Sequence, residues 1–201
     1  MFVPKPFQIT DRDVLYDLIE AYSFGTLVAT QAGAPFASHI PFVLERDRHT
    51  LVAHVAKANP QGALCDGTHE MLAIFQGPHG YISPNWYGPG NAVPTWNYTA
   101  VHVYGAPKTI DDPDAVRRHQ NTLVATFEGP DGWNMDSQPD RYIDGMLRGI
   151  VAFEMQIARI EGKFKFSQNR SEEDRHQVIE ALEKGSAWDQ ALAGIMRDHA
   201  F

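Results

Sequence analysis

The chain has 201 residues, of which 43% are hydrophobic and 21% charged, and its formal net charge is −8 at pH 7. This length suits one sizeable core, and this composition is too apolar for a disordered chain. The negative charge argues against a protein that grips a nucleic-acid backbone, because that task needs clustered lysine and arginine. Cys65 is the single cysteine, so no disulfide forms within the chain.

The N-terminus shows no leader with a basic start and an apolar run, and no apolar stretch approaches the roughly 20 residues that span a bilayer. We therefore expect a cytoplasmic protein that is not inserted in a membrane.

The first third of the chain predicts a helix followed by strands. Thr10, with Asp13 three residues on, predicts a helix start, and that helix should end near Ser23. Segments rich in β-branched and apolar residues predict three consecutive antiparallel strands, at 24–30, 35–44 and 50–56. Asn59 before Pro60 is typical of the start of a short helix, and residues 71–76 predict a further strand.

Residues 77–105 combine aromatic side chains with prolines and glycines, and they predict two short strands, 81–86 and 95–105, joined by a rigid loop. Strand alternation places Trp96 and Tyr98 on one face and Thr95 and Asn97 on the other. Flat rings beside hydrogen-bonding groups suit a planar heteroaromatic ligand or a wet subunit interface. The alternative is a sheet whose aromatic side chains simply fill the core.

The remaining chain predicts helices around a second group of strands. Its predicted elements are a helix at 113–127 after an Asp112 cap, a turn-rich connection at 128–138, a helix at 139–149, a hairpin of strands 150–160 and 163–168, a helix at 171–184 capped by Ser171, and a last helix at 188–199. Short antiparallel strands with helices between and after them predict an α+β, mostly β fold, in which a barrel carries peripheral and C-terminal helices.

Several enzyme classes lack their motifs here. The chain contains no Gly-x-Gly-x-x-Gly turn, no P-loop and no Gly-x-Ser-x-Gly elbow. His69-Glu70 resembles the start of a zinc-protease helix, but Ala73 stands where the second histidine is needed. We therefore expect no metal site.

Two basic motifs predict contacts with an anion. Lys57 follows a predicted strand and precedes the N-terminus of a predicted helix, where its ammonium and the exposed amides can bind a phosphate. In the second motif Lys163, Lys165 and Ser167 share one face of a strand. The structural alternatives are an ordinary Asn-Pro helix start and an edge strand whose lysines discourage aggregation. Together with the aromatic stretch, the motifs supply a phosphate anchor, a covering surface and ring-edge donors for FMN.

The ordered set of motifs resembles the PaiB-type FMN-binding negative transcriptional regulators. It comprises residues 3–5 (VPK), 39–41 (HIP), 54–60 (HVAKANP), 81–87 (YISPNWY), 93–98 (VPTWNY) and 163–170 (KFKFSQNR). The resemblance implies an FMN-binding antiparallel split β-barrel, related in fold to pyridoxamine-phosphate oxidases, and a homodimer with flavin at the subunit interface. One departure is the short loop 88–92 (GPGNA), which is less charged than the family leads us to expect.

The resemblance also implies roles for individual residues. Lys57 and Asn59 are expected on the phosphate side of FMN. The residues expected to line the ring or its ribityl chain are Ser83, Trp86, Thr95, Trp96 and Asn97, and those expected to close the site are Lys163, Lys165, Ser167 and Gln168. No catalytic residue follows from the sequence.

Three functions fit these expectations. The first is an FMN-binding transcriptional regulator or flavin-dependent sensor, the second a flavin reductase-like oxidoreductase that uses NAD(P)H, and the third a flavin carrier without turnover. Residues 1–170 are expected to form the barrel domain with its inserted helices, and residues 171–201 a helical extension packed on the barrel or the dimer partner. The last helix carries Asp189 and Asp198 with Arg197 as its one arginine, which argues against direct DNA binding.

Overall fold

The structure, a computed structural model, describes residues 1–129 and 131–199. Residue 130 of the predicted connection, and residues 200 and 201 of the predicted C-terminal extension, lie outside the described residues. The chain divides into two compact units. The first unit contains Met1–Ala21, Gln76–His102 and the chain from Glu161 onward, and the second contains Tyr22–Phe75 and Val103–Ile160.

The strands form one six-stranded and one four-stranded antiparallel sheet. They are β1 (Gln8–Ile9), β2 (Phe24–Gln31), β3 (Ala34–Pro41), β4 (Val43–Glu45), β5 (Thr50–Ala56), β6 (Met71–Ile82), β7 (Thr95–Gly105), β8 (Lys108–Thr109), β9 (Ile150–Gln156) and β10 (Arg159–Lys165). The helices are α1 (Arg12–Ala21), α2 (Pro113–Glu128), α3 (Asp140–Leu147), α4 (Glu172–Glu183) and α5 (Ala187–Asp198). Short 3₁₀ turns include Pro60–Leu64 and Pro84–Trp86.

In the first unit the strands lie in the order β1-β10-β7-β6. Gln8 pairs with Lys163 and Ile9 with Gly162. A methyl group on Gly162 would lie 2.1 Å from Cδ2 of Leu15, so the absence of a side chain there lets α1 pack closely on this sheet. The core of this unit combines buried side chains of α1 with those of α4, α5 and the strands, among them Ile19, Ile82, Phe164, Leu182 and Leu192.

In the second unit β6 pairs with β2, and β2 pairs with β3 along the full length of both strands. A second set of strands has the order β4-β5-β9-β8. The core contains Phe42, Phe75 and Phe153, each at most 1% exposed, and the Phe42 and Phe75 rings meet edge to face at 5.2 Å.

The predicted break between strands at 71–76 and 81–86 is wrong. Residues 71–82 form one strand, β6, and residues 84–86 form a 3₁₀ turn whose first amide is capped by Ser83. A side chain at Gly80 would meet Leu192 at 3.0 Å and Leu182 at 3.4 Å, so glycine here admits the C-terminal helices rather than ending the strand.

The predicted hairpin of the last two strands is also wrong. β9 pairs with β5 and β8, whereas β10 pairs with β1 and β7. The two residues between them bind elsewhere: the amide of Ile157 donates to the carbonyl of His49, and that of Ala158 to the carbonyl of Tyr104, both at 2.9 Å. The strand predicted at 35–44 is divided in two: β3 pairs with β2, whereas β4 pairs with β5 in the four-stranded sheet.

The predicted helix starts are largely confirmed. Asn59, Asp112 and Ser171 each accept a hydrogen bond from a backbone amide two or three residues on. At α1 the side chain of Asp11 accepts from the amide of Asp13, so Asp11, the residue after Thr10, caps the start of this helix.

Within the described residues no helix is both long and apolar enough to cross a membrane.

Candidate functional site

The predicted alternation along β7 is confirmed, and the face that carries Asn97 and Thr99 is the buried one. Asn97 and Thr99 are fully buried, whereas Trp96 on the other face is 53% exposed. The interpretation in which these aromatic side chains fill the core is therefore wrong for Trp96. The strand directs a ring outward and hydrogen-bonding groups inward.

A small cavity of about 120 Å³ opens beside the buried face of β7 in the first unit. We call it the polar cavity. Its lining residues come from the loop before β7, from β7, from the end of β10 and from the segment after β10: Tyr87, Val93, Thr95, Asn97, Lys165, Ser167, Asn169 and Arg170. Four of them, Thr95, Asn97, Lys165 and Ser167, are predicted site residues, so the structure brings these four together.

The ammonium of Lys165 is held at the edge of the polar cavity. Its Nζ donates to Oγ1 of Thr95 and, at 2.7 Å, to the carbonyl oxygen of Trp96. Partial burial, and then the nearby charge of Lys163, lower the pKa of the Lys165 ammonium from its usual value. A bound anion would oppose both effects.

Ser167 and Asn97 form the buried wall of the polar cavity. Asn97 Nδ2 donates to Ser167 Oγ at 3.0 Å, and the Tyr87 hydroxyl lies 3.4 Å from the same oxygen. Ser167 is 3% exposed and has a φ of 62°, a left-handed backbone conformation that is uncommon for serine. The strand geometry predicted for residues 163–168 ends at Lys165, and this turn is the reason.

The other predicted residues of the first unit have different surroundings. Lys163 is buried, donates to the carbonyl of Phe2 at 3.3 Å and lies 5.1 Å from the Tyr98 ring centre. Gln168 closes a local turn, because its side chain accepts from the Phe166 amide and donates to the Phe164 carbonyl. Ser83 caps the turn that contains the half-buried Trp86. Lys163, Ser83, Trp86 and Gln168 do not line the polar cavity.

Trp96 belongs to a group of three exposed rings around the half-buried His79, which we call the aromatic surface: His79, Tyr81, Trp96 and Trp188. The Trp96 ring lies 6.1 Å from that of Tyr81 and 6.2 Å from that of His79, and Trp188 meets His79 at 5.6 Å. Tyr81, Trp96 and Trp188 are between 44% and 53% exposed. Such a surface suits a flat ring or a partner subunit.

Lys57 borders a larger cavity of about 750 Å³ in the second unit, which we call the basic cavity. Arg117 and Arg148 line it together with three aspartates, Asp111, Asp114 and Asp144, and with apolar side chains of α2, α3 and β9. Arg117 pairs with Asp144 at 2.8 Å. Neither Lys57 nor Arg148 forms an ion pair with a described residue, so two cations remain for a ligand. The volume lies within the roughly 300–1,000 Å³ typical of small-molecule sites.

Asn59 is the other predicted phosphate contact, and both ends of its side-chain amide form hydrogen bonds within the second unit. Its Oδ1 accepts from the Gln61 amide at 2.9 Å, and its Nδ2 donates to Oγ of Ser38 at 2.8 Å. It does not line the basic cavity. That Asn59 also contacts a phosphate stays a prediction.

Two histidines lie against each other in the second unit. Gln120 Nε2 donates to Nδ1 of His54 at 3.0 Å, and the His54 and His119 rings are 6.3 Å apart. His119 is 8% exposed, and its Nε2 has no hydrogen-bond partner among the described residues. Burial, and then the neighbouring His54, lower the pKa of His119 to about 4, and burial also lowers that of His54.

Sequence reasoning missed several residues that line the two cavities. Tyr87 and Arg170 lie within motifs that carry the family resemblance, so a signal for them existed. Arg117 and Arg148 carry no such signal, because nothing in the sequence indicates that α2 and α3 face one cavity.

Among the described residues no group of three or more histidine, cysteine or acidic side chains is placed to hold a metal ion.

The two antiparallel sheets with peripheral helices are the architecture of the split-barrel fold. The chain belongs to the family described as "Putative FMN-binding domain", whose model matches residues 1–159. This membership confirms the predicted fold class, the expected FMN cofactor and the resemblance to PaiB-type proteins.

A curated relative is Protease synthase and sporulation protein PAI 2 of Bacillus subtilis. It is 36% identical over 189 residues, which cover 91% of this chain and 89% of the relative. Two solved structures share the fold at low identity. The flavocytochrome Anf3 of Azotobacter vinelandii has a TM-score of 0.67 at 13% identity, covering 85% of this chain and 75% of that one. The FAD and haem binding protein of Mycobacterium smegmatis has a TM-score of 0.60 at 21% identity, covering 83% and 78%.

Proposed function

We propose that this protein binds FMN with the phosphate in the basic cavity and acts as a negative transcriptional regulator or flavin-dependent sensor. The observation that carries the proposal is that Lys57 and Arg148 form no ion pair with a described residue, although Asp111, Asp114 and Asp144 line the same cavity. A phosphate monoester bears up to two negative charges, which these two cations would balance. The apolar lining, including Val116 and Leu147, suits the uncharged remainder of a nucleotide-like ligand.

The first test compares FMN with riboflavin, which lacks the phosphate. Lys57→Ala should weaken FMN by about 10- to 100-fold, since a hydrogen bond to a charged group contributes roughly 1.5–3 kcal/mol, and should leave riboflavin unchanged. Lys108→Ala is the matched control, because Lys108 is an exposed lysine of the same unit that does not line the basic cavity. Equal losses for both ligands in Lys57→Ala, measured by equilibrium dialysis, would remove Lys57 from phosphate binding.

The ring and ribityl contacts form the second part of the proposal. We assign the exposed Trp96 to stacking on the flavin, with Ser83, Trp86, Thr95 and Asn97 as the further ring-side contacts. Support comes from the exposure of Trp96 within the aromatic surface. Trp96→Ala should weaken FMN and riboflavin by the same factor, since both carry the ring. An effect on FMN alone would contradict ring stacking.

We also propose a homodimer with flavin at the subunit interface, in the cytoplasm. The aromatic surface supports an interface, because exposed groups of large rings mark contact regions. Light scattering should give twice the 22.5 kDa chain mass. A monomer in the presence of saturating FMN would overturn the dimer.

The regulatory role is proposed to act through flavin binding rather than through a DNA-reading helix. Leu192, Ala193 and Met196 of α5 are buried, and Arg197 pairs with Glu183. These contacts leave α5 few groups for a phosphate backbone. Rapid anaerobic bleaching of the bound flavin by NADH or NADPH would instead identify an oxidoreductase, and salt-dependent retention of promoter DNA would identify a direct DNA binder.

A further inference from the structure

The polar cavity of the first unit is cationic and rich in hydrogen-bond donors. Among the described residues that line it, Lys165 and Arg170 are charged and none carries a carboxylate. A chain with a net charge of −8 thus places two positive charges around one small cavity without an acidic counterpart in its wall. Electrostatics of this kind favour a negatively charged occupant.

Lys165 keeps a donor for such an occupant. Its ammonium carries three N–H groups, of which two are used by Thr95 and by the carbonyl of Trp96. The two contacts fix the side chain at the mouth of the cavity. The remaining N–H is held in place without further loss of side-chain entropy when a ligand binds.

Arg170 offers a second, forked donor. Its guanidinium lies 4.5 Å from the Tyr87 ring centre, and its backbone amide donates to the Ser167 carbonyl at 2.9 Å. The guanidinium makes no ion pair with any described residue. The N–H groups of a guanidinium lie in its own plane as a fork, which matches the two oxygens of a carboxylate or phosphate.

The neutral wall completes a polar lining. Ser167 Oγ accepts from Asn97 Nδ2 at 3.0 Å and donates to Asn97 Oδ1 at 3.4 Å, and the Tyr87 hydroxyl lies 3.4 Å from the same oxygen. The exposed amide of Asn169 lies at the rim. A volume of about 120 Å³ admits a group of a few heavy atoms and not a flavin ring.

We propose that the polar cavity is a binding site for a small oxyanion group, a carboxylate or phosphate, of a second ligand distinct from FMN. The inference goes beyond the proposed flavin function, because it adds a second, anionic ligand beside the flavin, for which Thr95 and Asn97 are proposed ring-side contacts. It holds whether or not Lys57 anchors the flavin phosphate.

The test is an NMR titration of the full chain at pH 7 with sodium acetate and, separately, sodium phosphate, at constant ionic strength. The side-chain signals of Lys165 and Arg170 should shift with saturation, and Arg170→Gln or Lys165→Met should weaken the apparent affinity at least about tenfold. The control is Lys184→Gln, which removes an equal charge from an exposed position of the same unit outside the cavity. It should retain the affinity within about twofold, as expected for a surface charge.

The outcomes separate this inference from the flavin proposal. Saturable shifts that survive in Lys57→Ala support the oxyanion site even if that variant no longer binds FMN. Shifts that are absent, or equal in wild type and in Arg170→Gln, overturn it. Displacement of FMN by phosphate, with FMN weakened by Arg170→Gln, also overturns it, because the cavity would then hold the flavin's own phosphate.

Discussion

Acid should destabilise this protein through the buried pair of His54 and His119. The pKa of His119 is about 4 in the folded chain, whereas an unfolded histidine titrates near 6.5. Between these pH values the unfolded state binds the proton more readily, so stability is complete above pH 6.5 and is lost as the pH falls toward 4. At about 1.4 kcal/mol per pH unit, the loss from this one group approaches roughly 3 kcal/mol.

A loss of that size is a large share of the roughly 5–15 kcal/mol that stabilises a typical domain. The assay is urea unfolding at pH 7.0 and 4.5 of wild type and of His119→Leu, which cannot titrate and can pack in the buried site. His119→Leu should lose roughly 2 kcal/mol less than wild type between the two pH values. The control His176→Leu replaces an exposed histidine of α4 and should follow wild type.

Two results would refute this reasoning. The first is an equal loss of unfolding free energy in wild type and in His119→Leu. The second, which does not depend on the variant folding, is an NMR titration of the wild-type His119 ring with a midpoint above pH 6, since burial would then not be disfavouring its charged form.

Two further predictions concern packing and reactivity. Gly105→Ala should destabilise the fold by roughly 1–3 kcal/mol, since the added methyl would lie 2.3 Å from the carbonyl oxygen of Gln156. The comparison variant is Gly194→Ala, whose added methyl lies in open space on α5. It should be neutral or stabilising by about 0.5–1 kcal/mol. Chemical unfolding at fixed temperature compares the two, and equal effects would contradict the steric argument. Burial, and then the charge of Asp66, raise the pKa of the Cys65 thiol to about 11, so Cys65 should resist a thiol reagent at pH 8 until urea unfolds the chain. Reaction at the native rate of a small exposed thiol would show that the site opens freely.

The sequence predicts β7 well because alternation with a period of two is a local property. It does not reveal which face is buried, since both faces mix apolar and polar side chains. The buried face is the one with Asn97, whose amide is satisfied by Ser167, 70 residues later in the chain. Such a partner is invisible to any local pattern.

Where the prediction of strands failed, long-range contacts decided the outcome. Gly80 reads as a strand breaker, yet Leu182 and Leu192 occupy the space that a side chain would need. Tyr87 and Arg170 both line the polar cavity, and they lie far apart in sequence, with the guanidinium 4.5 Å from the ring centre. Family motifs contained both residues, but only the fold shows that they share a cavity with Lys165.

At position 167 the left-handed backbone favours glycine, whereas the hydrogen bonds of the hydroxyl require serine. Glycine would adopt this conformation without the roughly 1 kcal/mol or more that a side chain costs there. Random mutagenesis followed by selection for thermal resistance alone should therefore enrich glycine at position 167, whereas selection for ligand capture should retain serine. A divergence between the two selections would measure how far the hydroxyl, rather than the backbone, determines the residue at this position.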